Sequence, residues 1–187
     1  MNASLAVVSN QFLPGLQRPR LILVEVAGSP HREITELIAR LALRGPFHII
    51  SSGQWLPDQD SLRRSVRRYT VNVKETLDRI SLGRPATCLQ LRDQLEQAAS
   101  QSCPVLALNF LNHFFDPDVD LSLRRQVLEQ CCRLVKLLSF SKPVVALLQQ
   151  LPSEEYREFH GMLAPAADEI IESAADAMAG LSQPVLL

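Results

Sequence analysis

The chain has 187 residues, 47% hydrophobic and 21% charged, with a formal net charge of −1. That length suits one α/β domain burying roughly 70% of its unfolded surface, and near neutrality excludes a global attraction for nucleic acid or anionic membrane, so such contacts need a local patch. No run approaches the roughly 20 apolar residues of a membrane span, and the start MNASLAVVSNQF lacks the basic residues of a secretory signal, so a cytoplasmic protein with no membrane partner is predicted.

Residues 1–19 mix apolar pieces with Pro14, Gly15 and Pro19, which predicts a short amino-terminal arm or edge strand. Residues 20–187 are predicted to form a single domain. Leu21 to Val26 is an apolar run rich in branched residues and reads as a central strand of a parallel sheet. Gly28, Ser29 and Pro30 break it. Ile34, Leu37, Ile38, Leu41 and Ala42 then recur at helical spacing up to Gly45, with Ser29 as the N-cap and Pro30 in the first turn.

A strand, a glycine turn and a helix form the frame of a phosphate-binding loop, because the helix amino end offers unpaired amides to an anion. On the pattern GxxxxGK followed by Ser or Thr, the segment Gly28, Ser29, Pro30, His31, Arg32, Glu33, Ile34, Thr35 keeps only the first glycine and the final hydroxyl. Glu33 stands at the second glycine and Ile34 at the lysine. A carboxylate there repels a triphosphate, and isoleucine supplies no cation. The loop is predicted to bind nucleotide badly or not at all, and no cofactor is expected.

Pro46 to Ser52 reads as a second strand, followed by the loop Gly53 to Pro57 at the carboxyl end, where α/β folds place ligands. Trp55, the only tryptophan, either stacks on a base or partner or packs over the sheet end. Asp58 to Thr70 reads as a helix with Leu62, Val66 and Tyr69 inward and Arg63, Arg64, Arg67 and Arg68 outward. These four arginines are the one basic cluster dense enough for phosphate contacts, and they are the candidate DNA contact; the competing reading is a solvated helix face. A short helix over Asn72 to Ile80, a strand and turn over Ser81 to Thr87, and a helix over Cys88 to Ala99 with Leu89, Leu91 and Leu95 follow.

Pro104 to Phe115 is a buried strand and its exit, with Asn109 at the carboxyl end and an acidic loop over Asp116 to Asp120. His113 with Asp116 and Asp118 is too sparse a set for a metal site, and no metal is expected. Leu121 to Phe140 reads as a long helix with Leu123, Val127, Leu128, Leu134, Val135 and Leu138 inward and Arg124, Arg125, Arg133 and Lys136 exposed. Lys142 to Gln150 is another core strand, Leu151 to Ala164 a polar acidic stretch, and Ala167 to Ala175 a last strand or a short helix. Cys88, Cys103, Cys131 and Cys132 lack C-x-x-C spacing and read as small buried residues rather than ligands or a disulfide set.

This order of elements resembles the core ATPase domain of RecA-like recombinases, over roughly residues 20 to 150. The most specific stretches are Ile50-Ser51-Ser52-Gly53-Gln54-Trp55-Leu56-Pro57 and Asn72 to Thr87, NVKETLDRISLGRPAT, together with Gly28 to Thr35 and Leu106 to Asn109. The resemblance implies a three-layer α/β/α, P-loop NTPase core with a mostly parallel central sheet. It also implies a lysine on the phosphates, a carboxylate after the second strand to orient water, and one after the third apolar strand to hold magnesium. The matching positions here carry Ile34, Gly53 and Asn109, and Thr35 has lost its partners, so a pseudo-ATPase is expected. The family's DNA loops fall on Asn112 to Asp120 and on the stretch around Glu154, Glu155 and Glu158, both acidic. The expected function is a non-catalytic module that binds a protein partner, itself or a RecA-like ATPase, in DNA recombination or repair. The alternatives are a DNA-binding accessory using Arg63 to Arg68, or a residual nucleotide-binding ATPase in which Glu25 or Glu33 serves as a displaced carboxylate.

Overall fold

A computed structural model of the chain describes residues 18–26, 28, 30–51, 55–151 and 153–172. Most of the predicted arm, Ser29, Gly53 and residues 173–187 lie outside them. Strands β1 (Arg20–Val26), β2 (Phe47–Ser51), β3 (Ile80–Gly83), β4 (Val105–Leu108), β5 (Pro143–Gln149) and β6 (Glu169–Glu172) form one sheet in the order β3-β2-β4-β5-β1-β6. Every pairing is parallel; β1 and β5 run in register from Arg20 opposite Pro143 to Val26 opposite Gln149. The last segment is thus a strand rather than a helix as far as Glu172.

Helices α1 (His31–Arg44), α2 (Gln59–Arg67), α3 (Val73–Leu77), α4 (Cys88–Ala99), α5 (Leu121–Ser139) and α6 (Glu154–Leu163) cover the two faces. Side chains alternate across a strand, so one β1 run serves two cores. Leu21 and Leu23 pack with Leu91, Val127 and Phe159 of α4, α5 and α6, while Ile22, Val24 and Val26 pack with Ile34, Leu37 and Ile38 of α1. Each fully buried Leu or Ile contributes on the order of 2 kcal/mol. This is why the parallel strands read as unbroken apolar runs.

Several inward and outward assignments shift. Leu89 and Leu123 are exposed, since the buried stripe of α4 runs through Cys88, Leu91, Leu95 and Ala98, and that of α5 through Arg124, Val127, Leu128 and Cys131. Tyr69 lies beyond α2, is exposed, and hydrogen-bonds Glu36 instead of entering the core. Arg124 is buried: Nη1 donates to the Phe114 carbonyl at 2.8 Å and meets Glu155 at 2.6 Å. Of the cysteines, Cys88, Cys131 and Cys132 are buried and Cys103 is partly exposed.

The acidic stretch after β5 is helix rather than loop over Glu154–Leu163. Ser153 caps it, accepting from the Tyr156 amide at 3.1 Å. Glu155 and Glu158 pair with Arg124 and Arg125 of α5, so these two carboxylates are compensated by cations, Glu158 while still exposed.

Candidate functional site

The carboxyl ends of the strands gather Gly28, Asn109 and Gln150 on one edge. β5 lies between β1 and β4, so the carboxyl ends of β1 and β4 sit two strand spacings apart, about 10 Å, with the glycine turn extending beyond β1. Gly28 adopts φ +75°, the left-handed region that favours glycine. The turn is short, for α1 already begins at His31. Residues 31–34, which the resemblance assigns to the phosphate cradle, therefore lie in the first helical turn. Pro30 rather than Ser29 holds the N-cap position, with no side-chain cap, and its carbonyl accepts from the Ile34 amide at 2.9 Å. Ile34 itself is 0% exposed and packs in the α1 core. The Thr35 hydroxyl donates to the His31 carbonyl at 2.7 Å. His31 and Arg32 are exposed and Glu33 is partly so.

Trp55 is 3% exposed and belongs to the same cluster as Ile34, which settles it as packing over the sheet end. Asn109, at the end of β4, is buried with φ 51°, and its Nδ2 has no hydrogen-bond partner. His113 falls in a buried 3-10 turn (Phe110–Phe114), where burial pushes its pKa down to about 4. Among the described residues no group of three His, Cys, Asp or Glu could hold a metal ion.

The four arginines do share one exposed surface on and just after α2. Asp58 caps the helix, accepting from the Ser61 amide at 2.8 Å, and hydrogen bonding to Ser61 holds its carboxyl below the usual range. Arg68 is tied to Glu36 at 2.6 Å, and Ser65 also donates to Glu36, which locks α2 onto α1. Arg64 reaches the Ser61 hydroxyl and its charge acts on the Asp58 carboxylate, whereas Arg63 and Arg67 make no ion pair among the described residues. Between α1 and α2 runs a groove of about 870 Å³ whose lining includes His31, Arg32, Thr35, Arg64 and Arg68. The structure thus joins the arginine cluster to the glycine-turn segment, which their sequence separation hides.

One further cluster sits on the opposite face of β1. Glu25 is 9% exposed; its Oε2 accepts from Gln150 Nε2 at 2.9 Å, and its Oε1 lies 2.6 Å from His160 Nε2. Tyr156, one turn before His160, stacks on it with ring centroids 5.9 Å apart and an interplanar angle of 25°. The Tyr156 hydroxyl is buried without a hydrogen-bond partner, and burial, with Glu25 adding to it, pushes its pKa up to about 12. The sequence signal was an ionisable residue inside an apolar strand; its partners just after β5 and on α6 had none.

No protein-family model matches the chain, and no curated protein matches it in sequence. Among solved structures the chain is similar to the crystal structure of the RadB recombinase, at 15% identity and a TM-score of 0.65, with 86% of this chain and 79% of that one covered. No helix among the described residues is long and apolar enough to cross a membrane. The expected α/β architecture is therefore established: the fold is RecA-like, a parallel six-stranded sheet between two helical layers.

Proposed function

We propose that this chain is a non-catalytic RecA-like module that acts in DNA recombination or repair by binding a protein partner, either itself or an ATPase of the same fold. The observation that carries the reading is Ile34. The position that the resemblance gives to the phosphate-binding lysine is an apolar core residue, and its amide is spent on Pro30. A cation at that place would have to leave the core to reach a phosphate. Thr35 spends its hydroxyl within its own helix, and neutral Asn109 stands where a magnesium carboxylate belongs. The likeness to a recombinase supports the process. Each missing group is commonly worth orders of magnitude in rate.

Two measurements test this reading. A thermal-shift titration with ATP and magnesium is expected to leave the melting temperature unmoved, and phosphate release to stay at the buffer level. Size-exclusion chromatography with light scattering, alone and with a RecA-like ATPase from the same cell, is expected to show association. A strict monomer that joins neither itself nor such an ATPase defeats the proposal, as does magnesium-dependent turnover.

The arginine surface favours a second reading, a direct contact with DNA. Arg63 and Arg67 make no ion pair among the described residues, whereas Arg124, Arg125 and Arg133 each pair with a carboxylate. Electrophoretic shifts that weaken with salt and vanish when Arg63, Arg64, Arg67 and Arg68 become alanine support it. Shifts indifferent to those changes end it.

A further inference from the structure

The cleft beside Glu25 has properties that the partner-binding reading does not use. It has a volume of about 470 Å³, and its lining includes Glu25, Gln150, Tyr156, Arg157 and His160. We propose that it receives one organic cation, a guanidinium or primary ammonium group, with Glu25 as its counter-charge.

The first ground is charge. A buried carboxylate costs free energy unless it is paired. Elsewhere this chain supplies permanent cations: Glu36 has Arg40 and Arg68, Glu155 has Arg124, and Asp168 has Lys136. Glu25 is buried more deeply than these and has only an amide and an imidazole, which carries full charge only when protonated.

Geometry is the second ground. Tyr156 is 6% exposed and lines this cleft, and its hydroxyl is buried without a partner, so its lone pairs are free to accept from an N–H group that enters deeply enough to reach it. The Gln150 amide oxygen is a further acceptor. Tyr156 and His160, stacked on each other, both line the cleft and place aromatic surface beside an entering cation. Arg157 also lines the cleft and opposes a second cation there; it is exposed, so solvent screens that repulsion in part. A cation seated on Glu25 displaces the His160 contact and replaces a conditional charge with a permanent one.

The cation could belong to a free amine or to an arginine or lysine side chain of another protein. The test separates these sources. The full chain is titrated by calorimetry and by thermal shift with agmatine, with a blocked Gly-Arg-Gly peptide and with an uncharged alcohol of matching length. Both cationic probes are expected to bind at millimolar concentration or below and the alcohol not at all. Comparable affinity of the two cationic probes assigns the site to the head group alone, and tighter peptide binding assigns it to a protein side chain.

Glu25→Gln is expected to weaken binding by about tenfold or more, Tyr156→Phe by a few-fold, and His160→Gln to preserve or tighten it. Equal affinity of Glu25→Gln and the native chain, or no binding of either cationic probe at millimolar concentration, overturns the proposal. If Glu25→Gln does not fold, Tyr156→Phe decides: unchanged affinity refutes the site. Failure here leaves the partner-binding reading untouched, because that reading is judged by association of whole chains.

Discussion

Acidification should weaken the fold through one residue, His113. It lies in the 3-10 turn that carries the chain from β4 toward α5, flanked in that turn by the fully buried Phe110 and Phe114. Burial lowers its pKa from 6.5 to about 4, so the folded chain resists the proton that the unfolded chain accepts. Between those two values the unfolded state holds more protons, and stability rises with pH. The contribution is whole above the unfolded value and is lost as pH falls through the window. Linkage between about 6.5 and about 4 gives a loss of about 2 kcal/mol from pH 7 to pH 5, and about 3 kcal/mol once pH falls below 4. His48, also buried with a lowered pKa, acts in the same direction. The difference between the native chain and His113→Gln therefore isolates the effect. Urea unfolding followed by circular dichroism at pH 7 and pH 5 measures it. The native chain should lose about 2 kcal/mol more than the variant over that interval. Parallel losses in the two proteins would refute the account.

Three other outcomes are expected. Lys142 is buried and donates to the carbonyls of Ala98, at 2.7 Å, and Gln101, closing the carboxyl end of α4; Lys142→Met should lower stability by about 1–3 kcal/mol in urea. Arg124→Met leaves the Phe114 carbonyl and Glu155 without their shared donor and should cost about 2–3 kcal/mol, with α6 losing hydrogen-exchange protection first. Iodoacetamide at pH 8, followed by peptide mass spectrometry, should modify Cys103 before the others, because burial pushes the thiols of Cys88, Cys131 and Cys132 up, the last to about 12.

Local patterns carried the architecture because the forces they report act within a few residues. The β1 run, the break at Gly28 and the 3.6-residue stripe from Ile34 to Ala42 each required only the neighbouring sequence, and Cys88–Ala99 has the bounds its pattern predicts. The stripe was less legible where charged side chains enter it: Arg124 occupies a buried position on α5 because Phe114 and Glu155 meet it there, and neither is near it in sequence. The same holds for the acidic stretch after β5. The resemblance put a loop there, whereas Glu155 and Glu158 pair with the arginines of α5 and join two helices.

By itself the sequence determined most of the strands and helices as far as β5, and which residues stand at the positions of a phosphate-binding loop. Tertiary structure alone decided what those residues touch. Ile34 is a core residue because α1 starts at His31 and turns that side chain onto β1; Glu25 meets Gln150, 125 positions away, because β5 lies beside β1 in the parallel sheet. Periodicity is a one-dimensional record of which side is buried, and it holds no information about which distant strand or helix supplies the burying surface.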